Sequence, residues 1–289
     1  MIYLLIFFQQ LIASFTHLIG QYAVQHNDPV LVLFVRSWTA VICLWLFVSI
    51  KQKKINLFEG IDYQSFKRLI ILGLLNIPIN QYLYLTGLRD TTPANSALLY
   101  AMTPAMVLII VLTSKFEKKS FRKILGLTIA FIGASFIMFE RGADFHSKTT
   151  KGNIIIFLAV VAWSLFTVLG KPIIMKFGAL RATFLHTLFG AIIYLPIAFI
   201  VTDLSKISII DSKSWGSILF LGIGASCFSY VLWYYALSKL ELSKVAIFQN
   251  LQPILTTIIA LYLGKVILTN ELAIGGVLTL IGVLLVQFG

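Results

Sequence analysis

Acidic residues are few in this chain, 11 in 289, and each lies in a polar link or near the end of an apolar run. Any chemistry that needs a carboxylate deep inside an apolar segment has no residue to use. Cysteine is nearly absent too: Cys43 and Cys227 both fall within apolar stretches, where they read as small packed hydrophobes, so no disulfide framework is expected. The sequence has no GxxxxGK[ST] phosphate loop, which argues against an ATP-driven machine on this chain alone. It also has no clustered acids, no His/Asp metal constellation and no nucleophile with its base. An integral-membrane enzyme acting on lipid therefore finds no machinery, and no cofactor is expected. Charged residues of both signs reach only 12%, about half the share of a soluble domain.

What fills the space is hydrophobic. The hydrophobic share is 59% and the mean hydropathy is +0.93, which exclude a soluble globule and indicate a polytopic membrane protein. The formal net charge of +12 does not point to nucleic acid, because the lysines and arginines sit in short links and form no basic face; anionic lipid is the expected partner. The first apolar run starts almost at Met1, without a basic n-region or a small-residue cleavage site, and reads as a retained helix.

Runs of about 20 apolar residues give ten expected spans. They run Tyr3 to Tyr22, Val30 to Ser49, Phe66 to Gly87, Thr92 to Thr113, Lys123 to Phe139, Asn153 to Gly170, Thr183 to Val201, Ser217 to Leu237, Lys244 to Leu263 and Glu271 to Phe288. A polar stretch divides them into a first five-helix repeat (1–139), a linker (140–152) and a second five-helix repeat (153–289). Phe66 to Phe139 overlays Trp215 to Phe288 without a gap at an offset of 149, bringing Gly73 onto Gly222, Pro104 onto Pro253, Gly126 onto Gly275 and Gly133 onto Gly282.

An odd number of spans per copy inverts the second copy in the membrane, a plan in which a substrate site lies between the halves. With the N-terminus inside, the inner links carry 15 of the 23 basic residues and the outer links 7, with Arg36 inside a span. The bias predicts both termini cytoplasmic in a plasma membrane, and the short links suggest a bacterial inner membrane.

Pro104 and Pro253 interrupt matching apolar helices and free the carbonyls of Tyr100 and Gln249, which need protein or water partners. These two helices are expected to face a shared polar space. Polar residues recur at helical spacing nearby: Gln10, Ser14, His17 and Gln21 on the first span, Asn76, Asn80 and Tyr84 with Gln81 adjacent on the third, and Ser96, Tyr100 and Thr103 on the fourth. Val160, Ser164, Thr167 and Lys171, with Trp163 beside them, form the matching stripe of the sixth, and Gln249 and Gln252 lie on the ninth.

Amides facing lipid are costly, so these stripes point inward, either to a pocket or to packing. The pocket is favoured for Asn80, Tyr100 and Gln249. His17 reads either as a substrate or proton contact or as an interhelical hydrogen bond. Arg36 reads either as a bidentate clamp for a carboxylate or phosphate or as a side chain reaching back to the headgroups. Trp163, Tyr230, Trp233, Tyr234 and Tyr235 could stack on an aromatic or quaternary ammonium substrate, or belong to the bundle and its interface belts.

The two five-span halves, the proline helices ALLYAMTPAMVLIIV and AIFQNLQPILTTIIA, and the closing ELAIGGVLTLIGVLLVQ together resemble the EamA family of the drug/metabolite transporter superfamily, over essentially the whole chain. The resemblance implies ten helices around a central cavity, alternating access and small-molecule traffic, frequently export of amino acids or other metabolites. It leaves protons as a candidate coupling ion and either a monomer or a homodimer. The smallest multidrug members of the superfamily carry a glutamate on the first helix that exchanges protons for cationic drugs. No acid occurs here before Asp28, which sets the multidrug alternative apart.

Overall fold

The computed structural model describes residues 2–51, 57–113, 121–138, 147–240, 245, 248–264 and 268–288. The basic link after the fourth helix, most of the 140–152 linker and the start of the expected ninth span lie outside the described residues. Among the described residues the chain is entirely helical, and ten rods follow one another. They are α1 (Ile2–His26), α2 (Pro29–Lys51), α3 (Tyr63–Asp90), α4 (93–113), α5 (Phe121–Met138), α6 (Lys148–Phe177), α7 (Ala179–Val201), α8 (Ser212–Lys239), α9 (248–262) and α10 (Asn270–Phe288).

Seven of these, α1 to α4 and α6 to α8, contain stretches long and apolar enough to cross a membrane; α5 and α10 are shorter apolar helices. Large hydrophobic side chains cover the outside, among them Ile42, Trp45 and Phe47 on α2 and Ile197, Phe199 and Ile200 on α7. Gln10, His17, Asn76, Asn80, Asn95, Asn153 and His186 are buried. This reversal of the usual polarity suits a molecule whose solvent is hydrocarbon.

Local chemistry sets the rod ends. Asp62 caps α3 by accepting from the Ser65 amide at 2.7 Å, Thr92 caps α4 from Asn95 at 3.1 Å with Pro93 in the first turn, and Asp211 caps α8 from Lys213 and Ser214. A single residue, Gly178, joins α6 to α7 at φ 76°, in the left-handed region that favours glycine.

α3 and α8 each span 28 residues, and both change from α to π winding in mid-course, at Leu75–Gln81 and Phe220–Ser229. Pro78 lies inside the first π segment, where the wider turn accommodates its missing N–H. α4 is interrupted by a turn at 101–102, just before Pro104, and Thr103 donates its hydroxyl to the Tyr100 carbonyl at 2.6 Å. The carbonyl that the proline releases thus finds a protein partner. α9 opens with a 3₁₀ turn, Phe248–Asn250, before Pro253. Both prolines are buried.

The helices interleave. α1 packs on α8, α9 and the far end of α3 more than on its neighbour α2, while α6 packs on α3 and α4. α5 and α10 form the most extensive pair, joined through facing small residues. A Cβ at Gly275 would stand 2.8 Å from the Gly133 carbonyl oxygen, and one at Gly282 would stand 2.6 Å from that of Gly126. The glycines that the repeat overlay pairs, Gly126 with Gly275 and Gly133 with Gly282, therefore sit at one close helix crossing within the chain.

Candidate functional site

A cavity with about 570 Å³ of empty space, its open mouth included, lies where α1, α2, α3, α4, α6, α8 and α9 converge. His17, Arg36, Asn80, Gln81, Tyr84, Tyr100, Trp163, Gln249 and Gln252 all line it. Trp233, expected there, does not. It is buried behind the wall with its ring 6.3 Å from that of Trp163, because the turn of α8 that carries it presents Tyr230 to the cavity instead. Tyr234 is also buried away from the cavity, and Tyr235 faces outward.

The first-helix stripe needs a rotation. Gln9, Ala13, Thr16 and His17 line the cavity, whereas Gln10 and Ser14 turn to α9. Gln252 Nε2 donates to Gln10 Oε1 at 2.7 Å, Gln10 Nε2 to Gln9 Oε1 at 2.7 Å, and Gln9 Nε2 to Ser229 Oγ at 2.9 Å. This amide ladder ties α1 to both α8 and α9. Sequence reasoning missed Gln9, Ala13 and Thr16, since polarity alone marked the neighbouring face. Ala225 and Ser229, the repeat counterparts of Asn76 and Asn80, complete the lining.

His17 is held between helices and lines the cavity. Its Nδ1 lies 3.0 Å from Ser96 Oγ and 3.3 Å from the Tyr84 hydroxyl, and its ring meets Tyr84 and Tyr100 edge to face at 5.5 and 5.7 Å. It is glue between α1, α3 and α4, and a wall of the cavity as well. Asn80 Nδ2 donates to the Tyr100 hydroxyl at 2.9 Å and to the Ala159 carbonyl at 2.8 Å, fixing α3 to α4 and α6. On the other wall, the rings of Trp163 and Tyr230 lie 5.3 Å apart.

Arg36 is 2% exposed and turns inward. Its Nε donates to Ser226 Oγ at 2.8 Å, and its Nη1 is buried without a hydrogen-bond partner. Among the described residues no carboxylate pairs with it; the ion pair seen is Lys176 with Asp62, at one end of the bundle. Two acceptors on the same cavity, Gln81 Oε1 and Gln249 Oε1, are likewise buried and unpartnered. The residues lining the cavity thus include one buried cation and two buried amides with unpartnered atoms, beside aromatic walls. No group of three His, Cys, Asp or Glu side chains able to hold a metal occurs among the described residues.

A helical membrane protein folded around a central cavity is the class these features define. The chain belongs to the EamA-like transporter family, whose sequence profile matches residues 1–139 and 150–288. It is similar to the uncharacterized transporter YyaM of Bacillus subtilis, with 29% identity covering 78% of this chain and 76% of that protein. An uncharacterized transporter of Archaeoglobus fulgidus is 25% identical over 92% of this chain and 91% of its own length. A WAT1-related protein of Arabidopsis thaliana is 26% identical over 91% and 78% respectively. One solved crystal structure, 16% identical, covers 98% of this chain and 94% of its own with a TM-score of 0.69, which shows the shared fold.

Proposed function

We propose that this protein is a secondary transporter that carries a small carboxylate-bearing metabolite, anionic or zwitterionic, through its central cavity by alternating access. The observation that carries this reading is Arg36, a buried cation that lines the cavity and whose Nη1 has no hydrogen-bond partner. An uncompensated charge in a low-dielectric interior is costly, and a fold retains one where a ligand completes it. A carboxylate on Arg36, with a substrate ammonium or hydroxyl on Gln81 Oε1 and Gln249 Oε1, would satisfy all three groups, and Tyr84, Tyr100, Trp163 and Tyr230 would enclose the apolar remainder. The same cation repels quaternary amines, which weighs against the multidrug alternative.

The family and the named relatives support transport over enzymatic chemistry. Ten spans in two inverted five-helix repeats are supported by the equal lengths of α3 and α8, their matching π segments, and the two family matches. In this reading both termini face the cytoplasm of a bacterial inner membrane, where anionic lipid meets the basic links, and the traffic is export. No carboxylate lines the cavity among the described residues, so coupling is either absent or runs through His17.

The test is a thermal-shift screen of the purified protein against amino acids, organic acids and quaternary amines, followed by flux of the hits into proteoliposomes with and without a pH gradient. Carboxylates should stabilise the native protein and lose that effect in Arg36→Gln. Stabilisation by quaternary amines alone would overturn the assignment.

A further inference from the structure

Arg36 has a structural twin. It is the eighth residue of the 23-residue helix α2, and His186 is the eighth residue of the 23-residue helix α7. The two stand 150 positions apart, and their partners fall within one residue of repeat equivalence: Arg36 bonds Ser226 in the π segment of α8, next to Ala225, and His186 lies against Asn76, the counterpart of Ala225, in the π segment of α3. The glycines that admit these crossings also correspond. A Cβ at Gly222 would stand 3.0 Å from the Arg36 carbonyl oxygen, and one at Gly73 would stand 3.0 Å from the His186 carbonyl oxygen. The chain therefore builds the same station twice: a basic side chain of one half held against the wide turn of the other half's third helix.

Only one station opens on the cavity. His186 is wholly buried, packed at 4.9 Å from the Phe166 ring and 5.2 Å from the Tyr234 ring. Gln81 Nε2 donates to Asn76 Oδ1 at 3.1 Å, and His186 Nδ1 lies 3.4 Å from Asn76 Nδ2 and 3.5 Å from Thr187 Oγ1. With Asn76 Nδ2 donating, Nδ1 accepts and the proton falls on Nε2. Nε2 is buried without a partner, as is the Tyr234 hydroxyl, which lies where Gly170 has no side chain. Buried polar groups without partners are costly to keep and call for a ligand that pairs with them. The aromatic wall also continues to this point: Trp163 lies 5.3 Å from Phe166, which stacks on Tyr234 at 5.6 Å.

We propose that His186 and Tyr234 form the second station of the translocation path, closed in this conformation, where the substrate's carboxylate or equivalent acceptor is received when the Arg36 side closes. Gln81 joins the two: it lines the cavity, and its amide starts the chain through Asn76 to His186. This inference rests on the transport reading, and the test separates the two.

In oriented membrane vesicles, with Cys43 and Cys227 replaced by serine, single cysteines are introduced by Ala225→Cys, His186→Cys and Thr187→Cys. They are labelled with the membrane-impermeant anion methanethiosulfonate ethylsulfonate. Thr187 adjoins the station and leaves His186 intact, which covers a failure of His186→Cys to fold. The expected result is labelling of Ala225→Cys from one face and of the His186→Cys or Thr187→Cys protein from the opposite face only. Labelling of the station from the same face as Ala225→Cys, or from neither face while Ala225→Cys reacts, would overturn the second station and leave the cavity standing. An Ala225→Cys protein inert from both faces would overturn the cavity reading and this inference with it.

Discussion

Replacing Arg36 with methionine should move stability in opposite directions with and without ligand. A buried charge stripped of its partner costs about 3–5 kcal/mol. The bond from Nε to Ser226, made by a charged donor, returns about 1.5–3 kcal/mol, so a residue of roughly 1–2 kcal/mol of unfavourable energy stays with the empty protein. Methionine matches much of the volume and carries no charge. It leaves Ser226 short of one bond, worth about 1 kcal/mol, and the net gain is about 1 kcal/mol or less.

That corresponds to a rise of about 2–4 °C in Tm per kcal/mol for a chain of this size. Ligand acts the other way. At 100 times Kd, a carboxylate stabilises the native protein by about 2.7 kcal/mol and should do nothing for Arg36→Met. Melting curves by tryptophan fluorescence, taken with and without the best carboxylate from the screen, should therefore cross: the variant melts at or slightly above the empty wild type and well below the liganded one. A variant that melts several degrees low when empty yet keeps its ligand shift would show that Arg36 is satisfied by the fold and that the reasoning is wrong.

Three further outcomes follow from geometry described above. Thr103→Val strands the Tyr100 carbonyl in the broken turn of α4 and should cost about 1–3 kcal/mol, read as a lowered Tm that Thr103→Ser restores. Gly73→Ala places a Cβ 2.6 Å from the Gly190 nitrogen, all backbone, so α3 and α7 must separate. The expected overpacking penalty is about 1–3 kcal/mol, seen as less monodisperse protein on size exclusion, and an undiminished yield would contradict the tight crossing. The carboxyl of Asp62 is held well below the usual carboxylate range, chiefly by Lys176 and then by the Ser65 amide. A lowered folded-state value means that whatever stability the link adds is complete at neutral pH and lost only on strong acidification. Wild-type and Asp62→Asn melting curves should accordingly converge in strong acid, and a gap unchanged by acid would refute the link.

Much of the scaffold can be read directly from residue order. The apolar runs fall within about seven residues of the rods observed, and Pro104 follows a real break because a missing N–H and a ring clash act on any helix, whatever surrounds it; Pro253 follows a 3₁₀ turn. The site is legible where polarity and position agree, as at Asn80, Gln81, Tyr84 and Tyr100. It is illegible where orientation decides. Ala13 and Ala225 line the cavity because of where their helices point, and nothing in their chemistry announces it. Gln9 and Gln10 are identical and adjacent, yet one faces the cavity and the other faces α9. Trp233 and Tyr230 lie less than one turn apart on a helix whose π segment shifts the phase upstream of them, and a constant 3.6-residue period cannot follow that shift. Pro78 between Asn76 and Asn80 was the available sign for α3; α8 winds the same way with no proline to mark it.

The amide ladder has a consequence for how the chain is made. Gln10 and Gln252 are 242 residues apart, and Gln9 and Ser229 are 220 apart. At about 5–20 residues per second, Gln10 is synthesised roughly 12–48 s before Gln252 exists. Until those partners arrive, Gln9 and Gln10 have only each other and must wait beside the insertion machinery or among acyl chains. Biogenesis, more than the finished molecule, is where this N-terminal segment is most vulnerable.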